Sequence, residues 1–494
     1  MTQNKKQGLL HRFLNSKKSF PVLAGVLAGL YPMLFYASNN YTLVNTLAHL
    51  GYFLLMFIII PVIIIWGLFK LSKKVANGKY VKYIIPFLGS FIFLFLTHIS
   101  YFGFLKKKIS LGLLLIAVLI AYFLWKHFKK VLVLQGLLAL MGIITLIPRL
   151  TEAITYDDSW GNISSEMREA TFKKKPNIYF IQPDGYVNFS ELYKGHYKSK
   201  DSTFQKYLTQ NGFILYPDFR SNYASTLTSN SATFMMKHHY YNGNLTLENY
   251  NARNVIVSKN TVLDILKENN YKTHLLTELP YLLLNRPEMG YDFCNIEYKD
   301  VSYIGTGLGK PVSTYDALEE QINLSKEQPK FFFIEIFNPG HIQGVTKKHN
   351  GIRDDRTLWL ESLENAQVKL KKHIDLIKKN DPNALIVLMA DHGGFVGLDY
   401  TLQALGKIED RDLLYSIYST HLSIYWPEKT NLEEKLPFKS GVNFFRVLIS
   451  YLSNNQKLLE GQEDNGSYAV IKKGASPAIY QVIDDDGNVT FKKQ

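Results

Sequence analysis

The distribution of acidic residues is the feature that most constrains this chain. Residues 1–150 contain no Asp or Glu but hold 17 Lys or Arg. The whole chain of 494 residues has a formal net charge of +14, so the charge is +17 up to residue 150 and −3 beyond it. A pI near 9.3 is typical of nucleic-acid-binding proteins. Here, however, the positive charge lies between long apolar runs, which is the pattern of a membrane protein and argues against a nucleic-acid partner.

The first 150 residues contain five apolar runs, at 21–37, 48–69, 83–104, 109–125 and 131–148. Each is close to the roughly 20 residues that a helix needs to cross the hydrocarbon core of a bilayer. The runs lack the polar face that a soluble helical domain would show at a period of 3.6 residues. A cleaved signal peptide would not be followed by four further runs. The sequence therefore predicts an N-terminal α-helical transmembrane bundle of five helices over residues 1–150.

The Lys and Arg clusters between these runs predict the orientation of the bundle. Clusters at residues 5–18, 70–82 and 126–130 fall on one side, which the positive-inside rule identifies as the cytoplasm. Five crossings would then place residues 151–494 outside the cytoplasm. One cluster, Lys106–Lys108, would face outward and departs from the rule.

The remaining sequence predicts a polar connector over 151–171 and one extracytoplasmic α/β domain over 172–494. Short runs rich in Ile, Phe, Val and Leu are typical of strands buried in a mostly parallel sheet. They occur at Asn177–Gln182, Lys272–Thr277, Lys330–Phe337, Ala384–Met389 and His421–Trp426. Amphipathic stretches at 202–211 and 357–379 predict helices between strands. The single cysteine, Cys294, excludes an intrachain disulfide and is expected to be a packing residue.

Two predicted strands end in residues suited to metal binding. The first is followed by Asp184-Gly185, and another is followed by Asp391-His392-Gly-Gly. In an open α/β sheet, ligands bind beyond the carboxyl ends of the strands. Carboxylate and imidazole groups there suit Mn²⁺, Zn²⁺ or Mg²⁺. An ordinary Asp-Gly turn explains Asp184 equally well, whereas a chance surface turn is the weaker explanation for Asp391 and His392.

Two further segments carry candidate reactive groups. Residues 221–233 are dense in hydroxyls, including Thr226, Thr228 and Ser229, and precede an apolar stretch that predicts a helix. A hydroxyl at a helix N-terminus is well placed to attack phosphorus, although helix capping alone would also explain any one of them. The strand at 330–337 is followed by Asn-Pro-Gly-His341, whose imidazole could act as an acid, bind substrate or serve a structural role.

Taken in order, these motifs resemble the sulfatase-like part of the alkaline phosphatase superfamily. The similarity is greatest to its membrane-bound branch, which includes lipoteichoic acid synthases and phosphoethanolamine transferases and carries five transmembrane helices before the catalytic domain. The resemblance implies an alkaline-phosphatase-like α/β fold. It also implies that Thr226 is both nucleophile and metal ligand, that Asp184, Asp391 and His392 complete the metal site, and that His341 contacts the substrate phosphate.

The sequence departs from the family pattern at three positions. Lipoteichoic acid synthases typically have Glu where this chain has Asp184. Thr228 replaces a proline of the nucleophile segment, which leaves Thr228 and Ser229 as alternative nucleophiles. Gly340 interrupts the Pro-His pair of the family before His341.

The resemblance implies a phosphotransferase of the bacterial cytoplasmic membrane with one divalent metal ion, Mn²⁺ first, with Zn²⁺ and Mg²⁺ as alternatives. It would move phosphoglycerol or phosphoethanolamine from a membrane phospholipid to an envelope glycan or lipid acceptor through a phospho-Thr intermediate. A phosphodiesterase or phosphatase, and a catalytically inactive envelope protein, are the alternatives. Sulfate ester hydrolysis is disfavoured, because no Arg follows Thr226 within ten residues as the formylglycine motif of sulfatases requires.

Overall fold

The structure is a computed structural model, and it describes residues 8–494 except 76–78, 247–248, 306–307, 325–327, 343, 345–353 and 428–435. Lys5 and Lys6 of the first basic cluster lie outside the described residues. The chain divides into two compact units. One comprises Met1–Thr155 with Leu284–Arg286 and Val301–Gly309, and the other comprises Tyr156–Leu283, Pro287–Asp300 and Lys310–Gln494.

The described residues of the first unit are helical almost throughout. The helices are α1 (Leu9–Asn15), α2 (Pro21–Asn39), α3 (Leu47–Phe53), α4 (Ile60–Lys74), α5 (Val81–Phe102), α6 (Lys107–Phe123) and α7 (Phe128–Thr155). A π-helical turn, Leu54–Ile59, joins α3 to α4. Glycine permits the close packing of α2 here, since a Cβ on Gly29 would lie 1.5 Å from the carbonyl oxygen of Phe57.

Within the described residues, four helices are long and apolar enough to cross a membrane: Pro21–Asn39, Leu47–Lys74, Val81–Phe102 and Trp125–Gly161. The prediction of five such helices is therefore wrong by one. The run predicted at 109–125 does form a helix, α6, but it has 17 residues. At 1.5 Å per residue, α6 is about 26 Å long, whereas the hydrocarbon core is about 30 Å thick.

The second unit is built on a seven-stranded sheet in its described residues. Its elements are α8 (Ser165–Arg168), β1 (Ile178–Pro183), α9 (Phe189–Leu192), α10 (Thr203–Gln210), β2 (Phe213–Leu215), α11 (Thr226–Met235), α12 (Ala252–Val257), α13 (Thr261–Glu268), β3 (Lys272–Thr277), β4 (Phe293–Cys294), α14 (Thr314–Asn323), β5 (Lys330–Ile336), α15 (Asp355–Asn380), β6 (Leu385–Met389), α16 (Arg411–Tyr418), β7 (Leu422–Tyr425), α17 (Gly441–Ser453), β8 (Ser467–Ile471), β9 (Ala478–Ile483) and β10 (Val489–Lys493).

The strand order of this sheet is β2-β7-β6-β1-β5-β3-β4. The pairs β1–β5, β1–β6, β3–β5 and β3–β4 are parallel, and β7 is antiparallel to both β6 and β2. Strands β8, β9 and β10 form a separate antiparallel sheet. The mostly parallel α/β architecture predicted from the sequence is therefore confirmed.

Helices cover both faces of the large sheet, so the central strands β1, β5 and β6 are buried along their whole length. On one face, Phe180 of β1 packs against Phe234 of α11 and Phe445 of α17. On the other face, Tyr179 and Ile181 belong to a hydrophobic core with residues of α10, α14, α15 and α16. Burial on two faces explains why these strands are continuous apolar runs rather than alternating ones.

Candidate active site and metal centre

The strand register brings Asp184 and Asp391 together. In the parallel pairing of β1 with β6, Ile181 lies opposite Leu388. Extending that register by three residues puts Asp184 opposite Asp391, just beyond the carboxyl ends of both strands. The backbone N–H of Gly185 donates a hydrogen bond of 3.1 Å to Asp391 Oδ1, which fixes one turn against the other.

His392 points its Nε2 atom at both carboxylates. This nitrogen lies 3.3 Å from Asp184 Oδ1 and 3.4 Å from Asp391 Oδ2. The Nδ1 atom lies 2.8 Å from the carbonyl oxygen of Gly393. A carbonyl can only accept, so Nδ1 carries the proton and donates, which leaves the Nε2 lone pair for a metal ion.

Thr226 is the hydroxyl residue that meets this group. Its Oγ1 lies 3.5 Å from Asp184 Oδ1 and 3.5 Å from His392 Nε2. Thr226 is the first residue of α11, and Ser225 caps the helix by accepting a hydrogen bond from the N–H of Thr228. The first-turn amides of a helix have no partners within the helix and favour an anionic group at this end.

The competing hydroxyls are used elsewhere. Thr228 Oγ1 lies 2.7 Å from Ser225 Oγ and 3.1 Å from the Ser225 carbonyl oxygen. Ser229 Oγ donates to the carbonyl oxygen of Tyr223 at 2.8 Å. The structure therefore places Thr226, rather than Thr228 or Ser229, beside the predicted metal ligands.

The ligand set fits a metal ion. One ligand atom from each of Asp184, Asp391 and His392 lies within 4.8 Å of the others. Asp391 is buried, and its Oδ2 makes no well-formed hydrogen bond among the described residues. A buried carboxylate oxygen without a partner costs on the order of 1–3 kcal/mol or more, and a cation at this point would offset that cost. Carboxylate, imidazole and hydroxyl donors suit Mn²⁺, Zn²⁺ or Mg²⁺.

The charges of the three ligand side chains are strongly coupled. Burial alone would lower the pKa of His392, but the carboxylates of Asp391 and Asp184 outweigh it and raise that pKa to about 9. Burial raises the pKa of Asp391. Burial acts in the same direction on Asp184, but its contact with His392 prevails and holds the pKa of Asp184 below its ordinary value. Without a metal ion, the protonated His392 Nε2 thus lies beside the ionised Asp184, and a bound cation would take the place of that proton.

His341 lies at the edge of this group. Its ring is exposed, and its centroid is 6.3 Å from that of His392. The Nδ1 atom lies 2.9 Å from the Ile342 carbonyl oxygen, and because a carbonyl can only accept, Nδ1–H is the donor of this hydrogen bond. The structure thus brings together all five predicted site residues, with His341 outside the cluster of potential metal ligands.

The turn that carries His341 is locked to the turn that carries Asp184. The N–H of Gly340 donates to the Asp184 carbonyl oxygen at 2.8 Å. A Cβ on Gly185, whose φ is +67°, would lie 2.2 Å from the Gly340 carbonyl oxygen. Only glycine at position 185 accommodates both the left-handed backbone and this approach.

The sequence analysis missed several residues that shape the site. Phe395 lies over His392 with a centroid distance of 5.6 Å, and its φ of +62° is rare for an aromatic residue. Trp359 of α15 donates from Nε1 to the Gly340 carbonyl oxygen at 2.8 Å. Phe395 follows the Asp-His-Gly-Gly motif closely and was within reach of sequence reasoning. Nothing in the sequence of α15 distinguishes Trp359 from a core residue.

A buried carboxyl group, Glu335 of β5, lies close enough to Asp184 and Asp391 to interact with their charges. Its Oε2 accepts a hydrogen bond of 2.8 Å from Thr277 Oγ1. Burial raises the pKa of Glu335 well above its ordinary value.

No protein-family model matches the sequence, and neither does any curated protein. Among solved structures, the lipoteichoic acid synthase LtaP from Listeria monocytogenes is 15% identical, with a TM-score of 0.42 over 66% of this chain and 91% of that chain. The periplasmic domain of EptC from Escherichia coli, in complex with Zn, is 13% identical, with a TM-score of 0.41 over 64% of this chain and 93% of that chain.

An alkaline phosphatase superfamily protein from Vibrio parahaemolyticus is 13% identical, with a TM-score of 0.41 over 66% of this chain and 85% of that chain. All three TM-scores are below 0.5, so the activity of this chain is inferred from its own site.

Proposed function

We propose that this protein is a membrane-bound, metal-dependent phosphotransferase that acts through a phospho-Thr226 intermediate. The observation that carries the proposal is the position of Thr226 Oγ1, within 3.5 Å of both Asp184 and His392 at the first residue of a helix. A hydroxyl beside metal ligands and at a helix N-terminus combines an activated nucleophile with a site for the anionic group that it attacks.

Asp184, Thr226, Asp391 and His392 would hold one divalent ion, Mn²⁺ being our first expectation and Zn²⁺ or Mg²⁺ the alternatives. A bound ion would lower the pKa of the Thr226 hydroxyl and neutralise charge on the phosphoryl oxygens. The residues around it do the rest of the positioning. Gly185 N–H and His392 N–H both hold Asp391 Oδ1, at 3.1 and 3.0 Å, so Oδ2 stays directed at the centre.

In the first half-reaction, Thr226 Oγ1 attacks the phosphorus of a phospholipid head group. A bond forms between Oγ1 and phosphorus, and the bond from phosphorus to the glycerol oxygen of the lipid breaks. Diacylglycerol leaves and takes up the proton that the Thr226 hydroxyl gives up. The amides at the start of α11 face the phosphoryl oxygens, and His341 lies at the edge of the same group, where it would contact the transferred substituent.

In the second half-reaction, a hydroxyl of an envelope glycan or lipid attacks the same phosphorus. The bond from phosphorus to Thr226 Oγ1 breaks, which restores the hydroxyl and leaves phosphoglycerol or phosphoethanolamine on the acceptor. Hydrolysis by water as acceptor would share the first half-reaction, so a phosphodiesterase differs from a transferase only in this second step.

We also propose that residues 151–494 lie on the extracytoplasmic side of a bacterial cytoplasmic membrane, where the phospholipid donor and the envelope acceptor are both found. A reporter that is active only outside the cytoplasm, fused after Gln494, should be active. Activity of a cytoplasmic reporter at that position, with no activity of the external one, would refute this orientation.

The direct test of the reaction is mass spectrometry of Thr226. The purified full-length protein is incubated with Mn²⁺ and either phosphatidylglycerol or phosphatidylethanolamine, then digested. We expect a peptide containing Thr226 to gain the mass of phosphoglycerol or phosphoethanolamine, with release of an equal amount of diacylglycerol. Diacylglycerol release without any adduct, even in rapidly quenched samples, would refute covalent transfer. Loss of the adduct in water without acceptor would identify a hydrolase.

A further inference from the structure

A cavity of about 360 Å³ lies within the helical unit, among the chain before α2, the start of α5 and the start of α7. These three segments are far apart in sequence and meet at one end of the bundle. The residues that line the cavity are Leu14, Ser16, Lys17, Lys18, Ser19, Phe20, Val81, Lys82, Ile85, Pro86, Trp125, Lys126, Phe128, Lys129 and Leu132.

The polar lining of the cavity is strongly basic. Five of its residues are lysines, Lys17, Lys18, Lys82, Lys126 and Lys129. Residues 1–150 contain no Asp or Glu, so this stretch supplies no carboxylate to neutralise them. The positive-inside rule accounts for lysines at the ends of spans, but it does not require lysines from three separate segments to surround one cavity.

Aromatic rings hold two of these lysines in place. Lys82 Nζ lies 4.7 Å from the ring centre of Trp125 and 4.8 Å from that of Tyr83. Lys129 Nζ donates to the carbonyl oxygen of Ser16 and lies 5.5 Å from the ring centre of Phe20. Such cation–π contacts reduce the freedom of a lysine while keeping its charge.

The other part of the lining is apolar and continues into the membrane spans. Ile85, Pro86, Phe128 and Leu132 are buried side chains at the starts of α5 and α7. The candidate spans Val81–Phe102 and Trp125–Gly161 extend from this level. A cavity at the end of two spans that is lined by both lysines and apolar side chains matches a lipid, whose anionic head adjoins acyl chains. A free phosphate ion would leave the apolar part without a partner.

We propose that this cavity binds an anionic phospholipid, with its phosphate among Lys82, Lys129 and the neighbouring lysines and its acyl chains along α5 and α7. Basic cavities between transmembrane helices are a recurrent way of holding anionic lipid head groups. The proposal is independent of the transfer reaction, because it concerns lysines that have no place among the catalytic residues.

The test uses the full-length protein in detergent and measures bound lipid by native mass spectrometry during titration with phosphatidylglycerol. We expect one lipid per chain to be retained preferentially over phosphatidylcholine. The double variant Lys82→Gln/Lys129→Gln should bind about 10- to 30-fold more weakly, whereas Lys82→Arg/Lys129→Arg should bind normally, since it keeps both charges.

The matched control is Lys73→Gln/Lys74→Gln, which removes two charges from the C-terminal end of α4 but none from the cavity lining. Binding in this control should stay within about twofold of the unaltered protein. Equal weakening in both double Gln variants would overturn the proposal in favour of unspecific attraction to charge. Equal retention of phosphatidylcholine, or displacement of the lipid by millimolar inorganic phosphate, would also overturn it.

Discussion

Thr226 and Thr228 offer a pair of substitutions whose effects on activity and stability should be opposite. Both side chains lie in the first turn of α11, and replacing either by Val removes the hydroxyl while keeping the branched shape. The contacts of Thr226 Oγ1 with Asp184 and His392 are each 3.5 Å long, whereas a well-formed O–H···O bond is about 2.7–2.8 Å. Thr226→Val should therefore change the free energy of unfolding by less than about 1 kcal/mol.

Thr228 is fully buried and its hydroxyl makes contacts of 2.7 and 3.1 Å with Ser225. Thr228→Val removes both and disturbs the cap of α11, at a cost of about 1–3 kcal/mol. For a domain of this size, each kcal/mol lowers the melting temperature by roughly 1.5 °C, since the entropy of unfolding is about 2.1 cal/mol/K per residue. Thr226→Val should lower the rate of diacylglycerol release from phospholipid by several orders of magnitude, because no phospho-Thr can form.

The assays are thermal unfolding followed by intrinsic fluorescence, and diacylglycerol release under single-turnover conditions. Thr226→Ser, which restores the oxygen, should recover part of the activity. The reasoning fails if Thr226→Val retains near-normal release while Thr228→Val is inactive at a temperature where it remains folded. In that case the nucleophile is two residues further along the helix. Normal release in both variants would remove this helix from the chemistry.

The remaining predictions concern the metal, the buried acid and the turns. Asp391→Ala should lose activity, and it should also lose the bound metal, which elemental analysis measures. Replacing the exposed Asp300 by Ala should leave both unchanged. Full metal content in Asp391→Ala would exclude Asp391 as a ligand. Glu335 has a folded-state pKa above its unfolded value, so protonation stabilises the fold at low pH and this contribution is lost as pH rises. Relative to the unaltered protein, Glu335→Gln should therefore gain stability as the pH rises above about 4.3, by at most about 1.4 kcal/mol per pH unit, visible as melting temperatures that diverge with rising pH. Parallel curves would contradict the raised pKa. Gly185→Ala should lower the free energy of unfolding by about 2–5 kcal/mol and remove most activity, because the new Cβ would lie 2.2 Å from the Gly340 carbonyl oxygen. Gly243 has a similar φ of +73° but no neighbour within 4 Å, so Gly243→Ala should lower the free energy of unfolding by only about 1–2 kcal/mol. Equal losses at the two glycines would mean that backbone strain, not the contact, sets the cost.

The sequence allowed the strands and the ligands of the candidate metal centre to be predicted because both depend on local pattern. A run such as Leu385–Met389 is apolar throughout, so it predicts a strand buried on two faces, and the residue after it must lie at the edge where ligands bind. Asp391 and His392 became candidates by this rule, whereas an ordinary turn explained Asp184 equally well and the family resemblance favoured it as a ligand.

What the sequence did not predict depends on packing between distant segments. Helix α6 runs from Lys107 to Phe123 and is too short to count among the candidate spans. Its ends could not be predicted from the sequence, because an apolar run marks the ends of a helix poorly. Trp359 contacts the site only because α15 crosses the sheet at that point. The lysines at 17–18, 82 and 126–129 were interpreted as orientation signals, and their convergence on one cavity follows from the packing of α5 and α7.

The hydrogen bond from Gly185 to Asp391 joins residues 206 positions apart in the chain. The candidate metal centre therefore cannot assemble in a nascent chain until β6 has emerged and paired with β1. An ion that binds only the completed site would stabilise the folded state by an amount that rises with the logarithm of its free concentration once that concentration exceeds the dissociation constant. Retention of the ion would then report on the integrity of the whole sheet, and chelation should make this unit more susceptible to proteolysis at positions far from the catalytic centre.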